Sequence, residues 1–185
     1  IRAGRDRVQR NHDQASLAGL STASETTAPH TKAIRLNYNN AVMQYMIAIR
    51  RKVNEDANDW FNFGGHDDPI TESILDPVKN ITIKFNNNDR VRKNPAKFFR
   101  LVVPYVHHTN LPREFIYVWS YAIEPEDPQP TGFANHSRID NVELNLELDQ
   151  RIFLGGSSSA TILNYARAKN TLRVRHGLLT KKFSS

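Results

Sequence analysis

No cysteine occurs among the 185 residues. The chain therefore holds together without disulfides, offers no thiol nucleophile and suits a reducing compartment. Long apolar runs are missing as well. None approaches the ~20 residues that a membrane-crossing helix needs, and no signal peptide is visible. There is no glycine loop of the kind that cradles phosphates, and no Ser, His and Asp in the order of a hydrolase triad. The histidines include no His-x-His pair, the spacing that puts two imidazoles on one face of a strand. Acidic residues stop at Asp149.

What remains is one domain's worth of chain with a basic excess. The net charge is +6 and the pI about 9.7. Arg2, Arg5, Arg7 and Arg10 crowd the start; Arg167, Lys169, Arg173, Arg175, Lys181 and Lys182 crowd the end with no acid among them, and the middle is balanced. Aromatic residues do not interleave regularly with these cations, as a base-stacking platform would require. Solvated charge and subunit contact are the expected uses, and no specific nucleic acid is expected.

The most informative stretch is 123–148, IEPEDPQPTGFANHSRIDNVELNLEL. Pro125, Pro128 and Pro130 fix φ and lack an N–H, so none can sit in a central strand. Gly132 follows, read as the φ > 0 residue of a tight turn. From Asn141 the chain alternates: Val142, Leu144, Leu146 and Leu148 on one side, Asn141, Glu143, Asn145 and Glu147 on the other. That period marks a strand with one buried and one wet face. The stretch reads as a rigid crossing that turns a corner into a strand.

Elsewhere, residues 78–85 alternate as a strand, closed by a turn at 86–89 with Asn88 at its glycine-like position. Residues 115–123 (FIYVWSYAI) suit a strand covered on both faces. Residues 34–53 are ambiguous: Val42, Tyr45, Met46, Ile49 and Val53 make a helical stripe, while 41–49 also suits a buried strand. A helical turn is expected from Pro95 through Phe98 and Phe99. His107 and His108 are adjacent, hence divergent, and are read as structural. His66, Asp67 and Asp68 are read as a solvated turn, so no metal or cofactor is expected. Glu124, Glu126 and Asp127 could supply the paired carboxylates of glycoside hydrolysis, but they share one exposed loop where nothing promises a raised pKa. Trp60 is the one fair platform for a sugar. No enzyme is expected.

The corner also carries a resemblance. Gln129, Pro130, Gly132, Asn135, Ser137, Arg138, Ile139, Asp140 and Asn141 resemble the signature of the major capsid proteins of large eukaryotic DNA viruses, the nucleocytoplasmic large DNA viruses. These are double jelly-roll proteins, and the signature lies in the C-terminal jelly roll. Thr131 stands where the family has Ser, Ala134 where it has Cys, and His136 where it has Phe. Asn37 to Val42 are similar to a family segment that leads into a strand, with Asn40 and Ala41 departing from its usual His and Pro, so 34–53 is expected to be strand. Pro104, Tyr105, His108 and Thr109 are similar to another family segment. So are Tyr117, Val118, Ser120 and Ala122, and the closing Tyr165, Ala166, Asn170, Leu172, Arg173, Val174 and Gly177.

The resemblance implies an all-β, antiparallel, eight-stranded jelly-roll sandwich with long loops and one short helix. Residues 1–33 are expected to be a polar arm or linker, and 34–185 the jelly roll. It implies a structural subunit whose trimers, pseudo-hexagonal in outline, tile an icosahedral shell assembled in the host cytoplasm. Partners would be its own copies, neighbouring capsomers, an N-terminal jelly roll of the same protein, minor capsid proteins and an internal membrane. A start at Ile1 rather than Met suits the C-terminal half of a longer protein. The alternatives are a single jelly-roll vertex (penton) or minor capsid subunit, and a jelly-roll carbohydrate-binding module. Within the signature, Arg138 is expected to hold the corner, with Asp140 as the nearest kind of partner.

Overall fold

The structure, a computed structural model, describes residues 7–11, 30–65, 74–149 and 159–181. Among the described residues the strands form two larger antiparallel sheets and a separate two-stranded hairpin. In spatial order the first is β1 (Arg7–Asn11), β9 (Ala160–Lys169), β3 (Ala41–Arg51) and β6 (Ile116–Ser120), with the short β7 (Ala134–Asn135) also on β3. The second is β2 (His30–Arg35), β8 (Val142–Leu148), β4 (Val78–Phe85) and β5 (Asn88–Pro95). From β1 to β9, apart from the β4–β5 hairpin and β7, each strand is followed by one in the opposite sheet. That winding gathers the connections at the two ends of the sandwich and is the jelly-roll arrangement. The all-β, antiparallel expectation holds.

The apolar sides of both sheets share one cluster. Val142, Leu144, Leu146 and Leu148 of β8 meet Ile81 and Ile83 of β4, Tyr45, Ile47 and Ile49 of β3, Tyr117 of β6 and Ile162 of β9. Each such side chain contributes about 1.5–3 kcal/mol by leaving water. On the outer face of the second sheet Glu147 takes Asn80 Nδ2 at 2.7 Å and lies 2.5 Å from Lys93 Nζ. These contacts, Lys93 foremost, hold its carboxyl below the usual range.

The strand expected within 34–53 is β3, and the helical stripe in its pattern has a physical cause. The β3–β9 register shifts between Val42 and Gln44, so Met43 is an extra residue in the ladder. Val42 and Tyr45 then both face the core although they are three apart. A helix would show the same spacing.

The division expected at residue 33 does not match the strands. β1 and most of β2 lie inside the stretch read as an arm, and without them the sandwich lacks two of its strands. β1 has a single apolar residue in RVQRN and is defined by its backbone pairing to β9, a signal that hydropathy does not carry.

Three smaller differences follow the same logic. Phe85 pairs with Asn88, so the β4–β5 loop is Asn86 and Asn87, both at positive φ (48° and 66°); Asn88 already belongs to β5. Asparagine tolerates that region better than other non-glycine residues. β5 runs through Pro95, and the helical segment extends further than expected, as a π-turn at Phe98–Val102 and α2 at Val103–His107. Pro104 sits in the first turn of α2, where its missing N–H is tolerated, and the π-turn just before it absorbs the break in the ladder. A second short helix, α1 (Lys52–Asp56), follows β3.

The closing segment, similar to the family's over 165–177, is divided between strands. β9 ends at Lys169, Thr171 N–H donates to the Asn170 side chain at 2.8 Å, and a separate hairpin follows: β10 (Leu172–Arg175) and β11 (Leu178–Lys181). It turns through His176 and Gly177, both at positive φ.

Candidate functional site

The proline-rich corner joins β6 to β8 and is fastened from several directions. Beyond Ser120, Tyr121 N–H donates to the carbonyl of the bulged Met43 at 2.8 Å, so the irregularity in β3 anchors the start of the loop. His107 and His108, at the end of α2, both reach the loop. His107 Nδ1 lies 2.7 Å from Ile123 O and His108 Nδ1 3.1 Å from Glu126 Oε1. The other oxygen of Glu126 accepts from Thr109 N–H (3.2 Å) and Thr109 Oγ1 (2.9 Å). These bonds, those from Thr109 first, hold the Glu126 carboxyl below its ordinary range. Glu124 N–H donates to Thr131 Oγ1 at 2.9 Å, Gln129 N–H to Asp127 Oδ1 at 2.9 Å, and Lys169 Nζ to Pro128 O at 2.5 Å. The two histidines diverge, as their adjacency implies, and both brace the corner.

Gly132 is required for closeness rather than for an unusual φ. A Cβ there would stand 2.6 Å from Tyr121 O, nearer than any side chain tolerates, and positive φ among the described glycines is confined to Gly177. The reading of a left-handed turn at Gly132 is thus replaced by backbone-on-backbone packing.

The remaining signature residues fall into two groups. Asn135 caps the 3₁₀ turn His136–Arg138, its side chain accepting Ser137 N–H at 3.1 Å. Ile139 packs against the core. Asn141 exchanges bonds with Asn86, its N–H donating to Asn86 Oδ1 (2.9 Å) and its carbonyl accepting Asn86 N–H (2.8 Å). These residues build the corner. Gln129, Pro130, Ser137, Arg138 and Asp140 are exposed. The arginine that grips the corner is Arg35, whose Nη2 donates to Asp140 O at 3.0 Å. Arg138 has no hydrogen bond or ion pair among the described residues.

Sequence reasoning missed the residue at the centre. His136 is buried, with Tyr45 Oη 2.5 Å from Nε2, and is ringed by Tyr38, Tyr45, Phe85 and Tyr121 at 5.5–6.3 Å between ring centres. Burial pushes its pKa down to about 4 and pushes the Tyr45 hydroxyl up, so the pair is neutral. A histidine in a phenylalanine position was the available signal, but its cage comes from residues 38, 45, 85 and 121, far apart in the chain.

The other candidate groups are placed as follows. Trp60 lies under the Arg50 guanidinium, 4.9 Å from ring centre to Cζ, and Arg50 is also paired with Glu55 at 2.7 Å. One face of the ring is therefore occupied. Glu126 and Asp127 are engaged in holding the loop. His66, Asp67 and Asp68 lie outside the described residues.

Jelly-roll strand order and a corner built by these signature residues occur in the same chain, and comparison with known proteins gives the same answer. Residues 7–180 match the family described as the large eukaryotic DNA virus major capsid protein. The chain belongs to that family. It is 38% identical over 116 residues to the major capsid protein of Chrysochromulina ericina virus, covering 59% of this chain and 20% of that protein. It is 39% identical over 116 residues to that of Phaeocystis pouchetii virus, covering 59% and 22%. The fold matches the PBCV-1 virus capsid with a TM-score of 0.73 at 19% identity, over 100% of this chain and 52% of that one. The chain thus spans about a fifth of the length of these capsid relatives in sequence alignment and about half of the capsid structure.

Proposed function

We propose that this chain is the C-terminal jelly roll of a major capsid protein, and that its corner is a surface where copies meet to build the virion shell. The observation that carries the reading is the division of the signature. Gly132, Asn135, Ile139 and Asn141 are used within the fold, whereas Gln129, Pro130, Ser137, Arg138 and Asp140 are exposed on a braced corner, all but the proline with polar side chains. A surface held this firmly before contact loses little entropy on association. In this reading three copies close into a capsomer of pseudo-hexagonal outline, each with an N-terminal jelly roll from the same chain, and capsomers tile the shell. The chain performs no catalysis; its carboxylates hold a loop. Assembly in the host cytoplasm and contact with minor capsid proteins or an internal membrane belong to the same proposal.

The test is the mass and form of the full-length protein. Sedimentation is expected to give a trimer, and electron microscopy of purified virions is expected to place this domain in the shell. A stable monomer absent from the shell would overturn the reading.

A further inference from the structure

Two exposed surfaces of this molecule are complementary, yet they do not meet within it. One is the hairpin β10–β11, where residues 172–180 are all exposed. Val174 pairs across the hairpin with Leu179 and shares a side with Leu172, while Arg173 and Arg175 share the other side with Thr180 and Leu178. Val174 is 70% exposed and Leu179 65%. A lone two-stranded hairpin is marginal in water and gains from a surface that covers its apolar side.

The other surface lies beside the corner. Tyr105 and Val106 on α2 are 78% and 63% exposed, and Ile123 and Phe133 on the loop 68% and 57%. Glu124, Glu126 and Asp127 rim this patch, and the bonds from His107, His108 and Thr109 lock helix and loop together. One surface is apolar and basic, the other apolar and acidic. They also share one end of the sandwich: Lys169, just before the hairpin, bonds Pro128 O, and its strand partner Ala41 also pairs with Asn135.

We infer that the hairpin of one copy lies across the α2–corner patch of the next copy, its apolar side on Tyr105, Val106 and Ile123. Its arginines reach over the edge to Glu124 and Asp127. This rests on the capsid reading and names the surfaces by which copies join. Because donor and acceptor differ, the contact is heterologous, and it closes into a ring when the rotation between copies is right.

The test uses the full-length capsid protein carrying Val174→Cys and Tyr105→Cys; this chain contributes no competing thiol. On oxidation of assembled protein, the double variant is expected to form chain-to-chain disulfides, seen as multiples of the chain mass on a non-reducing gel. Either single variant should form none at that position. Arg173→Glu with Arg175→Glu is expected to raise the dissociation constant of self-association by roughly tenfold or more. Adding Glu124→Lys should restore much of it, with the melting temperature unchanged throughout. No disulfide, a disulfide within one chain, or hairpin-dependent binding to anionic phosphatidylserine vesicles in place of the crosslink would overturn the inference. If wild-type protein fails to assemble, the capsid reading fails first. If the charge-reversed hairpin assembles normally, only this inference fails.

Discussion

At the scale of single residues, the corner depends on a neutral histidine and a missing side chain. His136 is held neutral by burial down to about pH 4, against an ordinary pKa of 6.5. Above that ordinary value neither folded nor unfolded chain binds the proton. As pH falls from 6.5 toward about 4, the unfolded chain takes up a proton that the folded one refuses, so stability is lost across that window. The loss is at most on the order of 3 kcal/mol. In His136→Phe the corresponding slope should vanish, as thermal melts of the two proteins between pH 7 and pH 4 will show. Gly132→Ala should cost roughly 1–3 kcal/mol, because the new methyl meets the Tyr121 carbonyl; a lower melting temperature at pH 7 is the readout. The sequence made the corner legible through its prolines and Asn141. It did not reveal what fills the corner, since cage contacts join residues that no local pattern links.

At the scale of elements, legibility followed regularity. β8 was readable because nothing interrupts its period of two, and β4 because Ile81, Ile83 and Phe85 keep that period although its ladder shifts between Val78 and Asn80. β3 was readable only through the family resemblance, since the bulge at Met43 lends its own pattern a helical spacing. β1 was missed because a strand held by backbone pairing needs little hydropathy. Successive N–H groups in a strand point to opposite sides, so prolines at both positions 8 and 9 must delete at least one donor that faces β9. Val8→Pro with Gln9→Pro should therefore lower the melting temperature by a few degrees or more, taking ~1 kcal/mol per 2–4 °C for a domain of this size. The loop carries its own pH signature. The Glu126 carboxyl is depressed by its bonds to Thr109 and His108, so its hold is complete above the ordinary carboxylate range and released as pH falls through the lowered value. Glu126→Ala should make the loop at 123–131 sensitive to limited proteolysis at neutral pH, whereas wild-type protein should reach that state only in acid.

At the scale of the whole molecule, the same residue can matter to the shell and not to the fold. Arg138 is exposed and unpaired among the described residues, so Arg138→Ala should melt like the wild type while trimer and particle yields fall. Calorimetry beside sedimentation separates the two effects. An equal loss of melting temperature would mean that Arg138 serves the corner after all. The sheet order carries a consequence of another kind. β9 is the last long strand, yet it stands between β1 and β3. During synthesis β1 must wait for β9, about 150 residues later, before it finds its neighbour, a slow, long-range closure. A ribosome that stalls early releases a product with an open sheet and no finished corner. The need for β9 thereby makes completion of this domain a condition for its first sheet to close.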